Sequence, residues 1–84
     1  MEDQIARTPK QVGATLRRRR RALGLTQLSL GQKTHNRQST ISSLEAGEAG
    51  TRLQTVFDAL TALDLELVIR PRTRASTDTI EELF

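Results

Sequence analysis

Eighty-four residues, 36% hydrophobic and with only Phe57 and Phe84 aromatic, suffice for one small aliphatic core but not for an enzyme's deep cleft beside it. The chain has no Cys, one His (His35) and no long apolar run, which argues against disulfides, thiolate nucleophiles, metal clusters, bound cofactors, a membrane span or a signal peptide, and for a cytoplasmic non-enzyme. The net charge of +3 is unevenly spread: residues 1–44 hold nine bases against Glu2 and Asp3, while Asp78, Glu81 and Glu82 acidify the last nine residues, so a polyanionic partner for the body and a different partner for the end are expected.

Residues 1–7 carry no periodicity and are expected to fray. Thr8-Pro9 reads as a helix start, with Thr as N-cap and Pro in the first turn. Val12, Leu16 and Leu23 keep one face, and Gly24 supplies the stop. At about 100° per residue, Arg17, Arg18 and Arg21 point away from that face. Arg19 and Arg20 fall on its flanks, so one of them must be partly buried.

A second, short helix opens at Thr26, its cap, with Gln27 in the first turn, Leu28 and Leu30 apolar, and an end near Thr34. His35-Asn36 is a turn, since both residue types tolerate left-handed backbone. A third helix runs from Gln38 to Ala46 and stops at Gly47, burying Ile41, Leu44 and, unexpectedly for an acid, Glu45. Thr51 is expected to cap a fourth helix, whose Leu53, Val56, Phe57, Leu60 and Leu63 follow the i, i+3, i+4 rule. The period then changes to two: Leu65, Leu67 and Ile69 alternate with Glu66, Val68 and Arg70 until Pro71, which reads as a strand over about 65–71. From Thr73 the chain is polar as far as Ile80, Leu83 and Phe84, and is expected to be disordered. No internal repeat is present.

A lone strand leaves a row of unpaired backbone donors and acceptors, and nothing else in the chain offers an edge. The same strand of a second copy is the economical partner, so a symmetric homodimer is expected, joined through Leu65, Leu67, Val68 and Ile69.

Two short helices around a tight turn, the second with a polar, uncharged outer face, match a helix-turn-helix. A helix that enters the major groove needs small residues to sink in and an amide to read base edges. Ser39, Ser42 and Ser43 are small, Gln38 can pair bidentately with adenine, and Arg37 can reach a guanine or a phosphate. A purely solvent-facing helix would favour Glu, Lys or Arg over three serines.

The string Gly24-Leu25-Thr26-Gln27, Leu30, Gln38-Ser39-Thr40-Ile41-Ser42, Leu44-Glu45-Ala46-Gly47 resembles the phage-repressor-like Cro/C1 (xenobiotic-response-element) helix-turn-helix family over roughly residues 9–64. The run from Ala62 to Arg72 resembles the strand extension of its HipB-type antitoxins. The resemblance implies a mainly α, four-to-five-helix domain over 8–72 with the C-terminal strand paired across a dimer, followed by a tail over 73–84. It implies base reading by Arg37, Gln38, Ser39, Thr40 and Ser42, and backbone contacts by Thr26, Gln27 and Ser43. It implies a structural pair between Arg20 and Glu45; Glu45 is also the only acid between Asp3 and Glu48. The implied partners are a double-stranded DNA operator upstream of its own operon and a HipA-type serine/threonine kinase toxin, on which Leu83 and Phe84 would dock. A free-standing repressor, or an interaction module that inhibits an enzyme through its tail, are the alternatives. Two departures stand out. The family's Gly-aliphatic turn is His35-Asn36 here, and Arg19 takes a commonly apolar position, where its stem would pack and its head sit in water.

Overall fold

A computed structural model describes residues 1–72, and the tail with Leu83 and Phe84 lies outside them. Four helices form among the described residues: α1 Pro9–Ala22, α2 Gln27–Thr34, α3 Gln38–Ala46 and α4 Leu53–Ala62. Thr8 caps α1 by accepting from the Gln11 N–H at 3.1 Å. Thr26 and Ser29 cap α2 reciprocally, each hydroxyl accepting from the other's backbone N–H, at 3.0 and 2.9 Å. A Ser at the third helical position thus does the work usually given to Glu.

All four helices end in one kind of turn. An N–H five residues on reaches back to the carbonyl, as in Leu25 to Arg20, Asn36 to Gly31, Glu48 to Ser43 and Leu65 to Leu60, at 2.8–3.1 Å. Each turn passes through one left-handed residue: Gly24, His35, Gly47 and Asp64, with φ between 57° and 77°. This is the Schellman arrangement, which satisfies carbonyls that a helix end would otherwise orphan. Glycine takes the conformation freely, and Asp and His at modest cost. In the His35-Asn36 turn the half-buried Asn36 closes the loop with its own amide, donating to the Thr34 carbonyl at 3.3 Å.

The core consists of Leu16, Leu30, Ile41, Leu44, Ala59, Leu60 and Leu63, flanked by Val12, Leu25, Val56, Ala62 and Leu65. α3 packs on both α1 and α2, and α4 on α2. The α1–α3 crossing is close because Gly13 lacks a side chain: a Cβ there would lie 2.5 Å from the Leu44 and Glu45 carbonyl oxygens.

Several expectations need correction. Thr51 does not cap α4; its hydroxyl donates to the Glu48 carbonyl at 2.9 Å, and Arg52 holds the N-cap position without a side-chain bond. The buried face of α4 is Thr55, Ala59 and Leu60, leaving Leu53 and Phe57 67% and 41% exposed. A helix lying on one neighbour buries a narrower stripe than its apolar residues define. Leu23, at the end of α1, and Leu28, in the first turn of α2, are also exposed. The Arg19 head is not in water alone, because its Nε donates to the Leu63 carbonyl at the end of α4 at 3.0 Å.

No strand is assigned among the described residues. Leu65 is half-buried, Leu67, Val68 and Ile69 are exposed, and no backbone hydrogen bond reaches residues 66–72 among the described residues. A strand exists by its ladder, and one chain offers these residues no second edge.

Candidate nucleic-acid interface

The two short helices set the geometry. α2 ends at the left-handed His35, and Asn36-Arg37 leads directly into α3. The α3 residues Ile41, Leu44 and Glu45 turn inward, and this leaves Gln38, Ser39 and Ser42 exposed with Thr40 and Ser43 half-buried at the sides. Arg37 is exposed at the N-cap position and makes no capping bond with its side chain. Base-reading candidates Arg37, Gln38, Ser39 and Ser42 therefore share one open surface, with Thr40 on its shoulder. Small hydroxyls and one amide let such a surface approach base edges closely and offer them both donors and acceptors.

The start of α2 is the second component. Thr26 is exposed, and no hydrogen bond among the described residues reaches the backbone N–H groups of Gln27 and Leu28. Free N–H groups at a helix start, with the favourable end of the helix dipole, suit a phosphate oxygen. The Gln27 side chain is half-buried and turned inward, its Nε2 donating to Glu45 Oε1 at 3.3 Å. A carboxylate only accepts, so the amide must present nitrogen to Glu45 and turn its own oxygen away.

Behind this surface lies the ion pair. Arg20 Nε and Nη2 donate to Glu45 Oε2 and Oε1 at 2.6 and 2.9 Å, and Arg20 Nη1 donates to the Leu25 carbonyl at 2.8 Å. The side chains are 8% and 3% exposed. Hydrogen bonding to the Glu45 carboxylate, together with its Coulombic attraction, holds the guanidinium above its ordinary pKa against the opposing effect of burial. Arg17, Arg18 and Arg21 face solvent on α1 and take no part in this pair.

Sequence reasoning missed the start of α4. A polar cleft of about 460 Å³ runs between α3 and α4, lined by Ser39, Thr40, Ser43, Arg52 and Thr55, with Glu48 also on its wall. No hydrogen bond among the described residues reaches the N–H groups of Leu53, Gln54 and Thr55. The signal available in the sequence was Arg52, a base beside the start of this helix. The expected Thr51 cap obscured it. Among the described residues no group of His, Asp and Glu side chains could hold a metal ion, and no helix is long and apolar enough to cross a membrane.

Residues 16–69 match the helix-turn-helix family model HTH_3. No curated protein matches the chain. Among solved structures, a single-substitution variant of HipB in an O2 20-mer complex is 29% identical, with a TM-score of 0.80 over 86% of this chain and 100% of that one. HipB in an O4 20-mer complex is 30% identical (TM-score 0.79, 84% of this chain and 100% of the other). HipB in a HipA-HipB-O2-O3 complex is also 30% identical, with a TM-score of 0.78 over the same shares of the two chains. With the motif, the fold and these likenesses in agreement, the chain belongs to the Cro/C1-type helix-turn-helix family, among its HipB-like members.

Proposed function

We propose that the protein is a dimeric, sequence-specific DNA-binding antitoxin that represses its own operon and binds a HipA-type serine/threonine kinase. The observation that carries DNA reading is the exposed face of α3, where Arg37, Gln38, Ser39 and Ser42 project from a core-anchored helix. In this reading Gln38 and Arg37 read base edges, and Ser39, Thr40 and Ser42 let the helix sink into the groove. Thr26, Gln27 and Ser43 meet the backbone, joined by Arg52 and the free N–H groups at the start of α4. The kinase partner is supported by the likeness to HipB within a HipA-HipB-O2-O3 complex. Two copies joined through Leu65, Leu67, Val68 and Ile69 present two α3 helices to half-sites about 34–36 Å apart or a multiple of that.

The test compares two variants on the protein's own upstream DNA. Gln38→Ala is expected to weaken binding by roughly 1–3 kcal/mol and to relax selectivity at one base pair per half-site. Arg18→Ala, on the solvent side of α1, is expected to leave selectivity as it was. An unchanged preferred sequence for Gln38→Ala overturns this assignment of α3.

A further inference from the structure

No residue of α2 or α3 lines the groove between the N-terminal segment and the residues after α4. The groove encloses about 700 Å³ between residues 1–7 on one side and residues 64–72 on the other. Its walls include Ile5, Val12, Leu16, Leu60, Leu67 and Ile69. Ile5 is 56% and Ile69 89% exposed, so each rim carries an open apolar residue. Among the described residues the N-terminal segment is tied to α1 through Gln4 Oε1, which accepts from Arg18 Nη2 at 3.2 Å. No backbone-to-backbone hydrogen bond joins residues 1–7 to residues 64–72.

We propose that this groove receives residues 65–70 of a second copy of the chain, and that residues 1–7 are an arm that clamps the partner's strand from its outer side. The proposal rests on the dimer reading above and adds the arm to it. Symmetry gives the order. If the partner's extension enters the groove between one chain's arm and extension, the two-fold puts that chain's extension between the partner's extension and arm. The result is arm, partner extension, extension, partner arm. The two extensions pair in the middle, and each arm covers an outer edge.

Two arguments favour a second copy as the occupant. A two-stranded ribbon is marginal alone and exposes both outer edges, so a flanking segment on each side removes the liability. The charges bear on it too: the arm carries Glu2 and Asp3 at its tip, with Arg7 nearer α1, and the extension ends in Arg70 and Arg72 after Asp64 and Glu66, all on the groove. An acidic arm tip beside the partner's basic strand end complements it, and the two-fold repeats that complement on the other side.

The absence of cysteine makes the test clean. Sedimentation of the full chain is compared with Glu2→Lys/Asp3→Lys, with Arg70→Glu/Arg72→Glu, and with all four changes together. At low salt each reversal is expected to raise the dimer dissociation constant roughly three- to tenfold, and the combination to restore it, as for rim ion pairs. In parallel, Ile5→Cys protein mixed with Val68→Cys protein is expected to give a disulfide between the two different chains on oxidation. A full chain that dimerises while neither reversal matters, with no such crosslink, overturns the arm and leaves the dimer. A doubly substituted Ile5→Cys/Val68→Cys chain that closes only on itself also overturns it, since the groove is then filled from within one chain. A full chain that is monomeric at every concentration overturns the dimer reading itself.

Discussion

The Arg20–Glu45 pair supports the most quantitative expectation. Glu45→Ala removes the acceptor of two guanidinium bonds, at 2.6 and 2.9 Å, from a charge whose side chain is 8% exposed. Breaking a buried pair from one side costs about 3–5 kcal/mol, because the remaining charge stays desolvated without a partner. For a domain of this size each kcal/mol lowers Tm by roughly 4–8 °C, so the variant is expected to melt on the order of 12–40 °C lower. Replacing both residues, Arg20→Met with Glu45→Leu, removes the charges together and is far milder. It still strands the Leu25 carbonyl and the Gln27 amide, which lose bonds of 2.8 and 3.3 Å, and each lost partner costs about 1–3 kcal/mol where water cannot replace it. The two single changes and the double change therefore form a strongly non-additive cycle, with a coupling of about 2 kcal/mol or more. Urea denaturation at one fixed protein concentration measures it, since the stability of any chain that self-associates depends on concentration. An additive cycle, or a Glu45→Ala cost below about 1 kcal/mol, would falsify the account of a desolvated pair.

Other expectations separate packing from conformation. Gly13→Ala would place a Cβ 2.5 Å from two α3 carbonyl oxygens, so backbone must move and the loss is about 1–3 kcal/mol or more by thermal melting. Gly24→Ala meets open space at φ 73°, so its loss of about 1–2 kcal/mol is conformational; equal costs with a disturbed α1–α3 crossing in both would contradict this division. Val68→Pro removes a ladder donor and is expected to yield monomers with greatly weakened DNA binding. Persistence of the dimer by light scattering would place the interface on helices instead. Deleting Leu83 and Phe84 is expected to weaken kinase binding and leave DNA affinity intact. Unchanged kinase affinity would move that contact to the folded body.

The helices and their ends were legible because local chemistry specifies them. Thr8-Pro9, Thr26, Gly24 and Gly47 each carry a cap or a left-handed turn that few other residues supply, and the bounds of α2 and α3 follow. The exposed face of α3 was legible too, since the positions of Ile41 and Leu44 determine what faces outward. The Asp64 turn was not, because Asp takes left-handed backbone only as a minority preference and the apolar residues on either side of it mask the break. The α4 start was misread because Thr51 is a good cap in general, and only the tertiary path of the Glu48–Thr51 loop assigns its hydroxyl elsewhere. The exposure of Leu53 and Phe57 depends on which side of α4 meets α2, and that is a relation between elements far apart in sequence.

Arg19 and Arg20 illustrate the same limit and what resolves it. Both flank the apolar face of α1, and helical periodicity alone leaves open which one is buried. Tertiary structure gives each a different acceptor: Arg20 meets the side chain of Glu45 on α3, and Arg19 meets the Leu63 carbonyl that ends α4. A cation at a helix C-terminus is favourable, so Arg19 fastens α1 to the point from which the chain leaves toward residues 65–72. Arg20 fastens the same helix to α3, and through the Leu25 carbonyl and Gln27 to the start of α2. A buried ion pair adds little over a well-packed apolar pair in net stability, and its stricter demand is geometric. With bonds to α3 and to the α1–α2 turn, Arg20 constrains the two helices that must meet DNA together, and Arg19 constrains the segment through which two such units would join. Adjacent arginines on one helix thus bear on two different relations, the angle between α2 and α3 and the placement of the segment that follows α4.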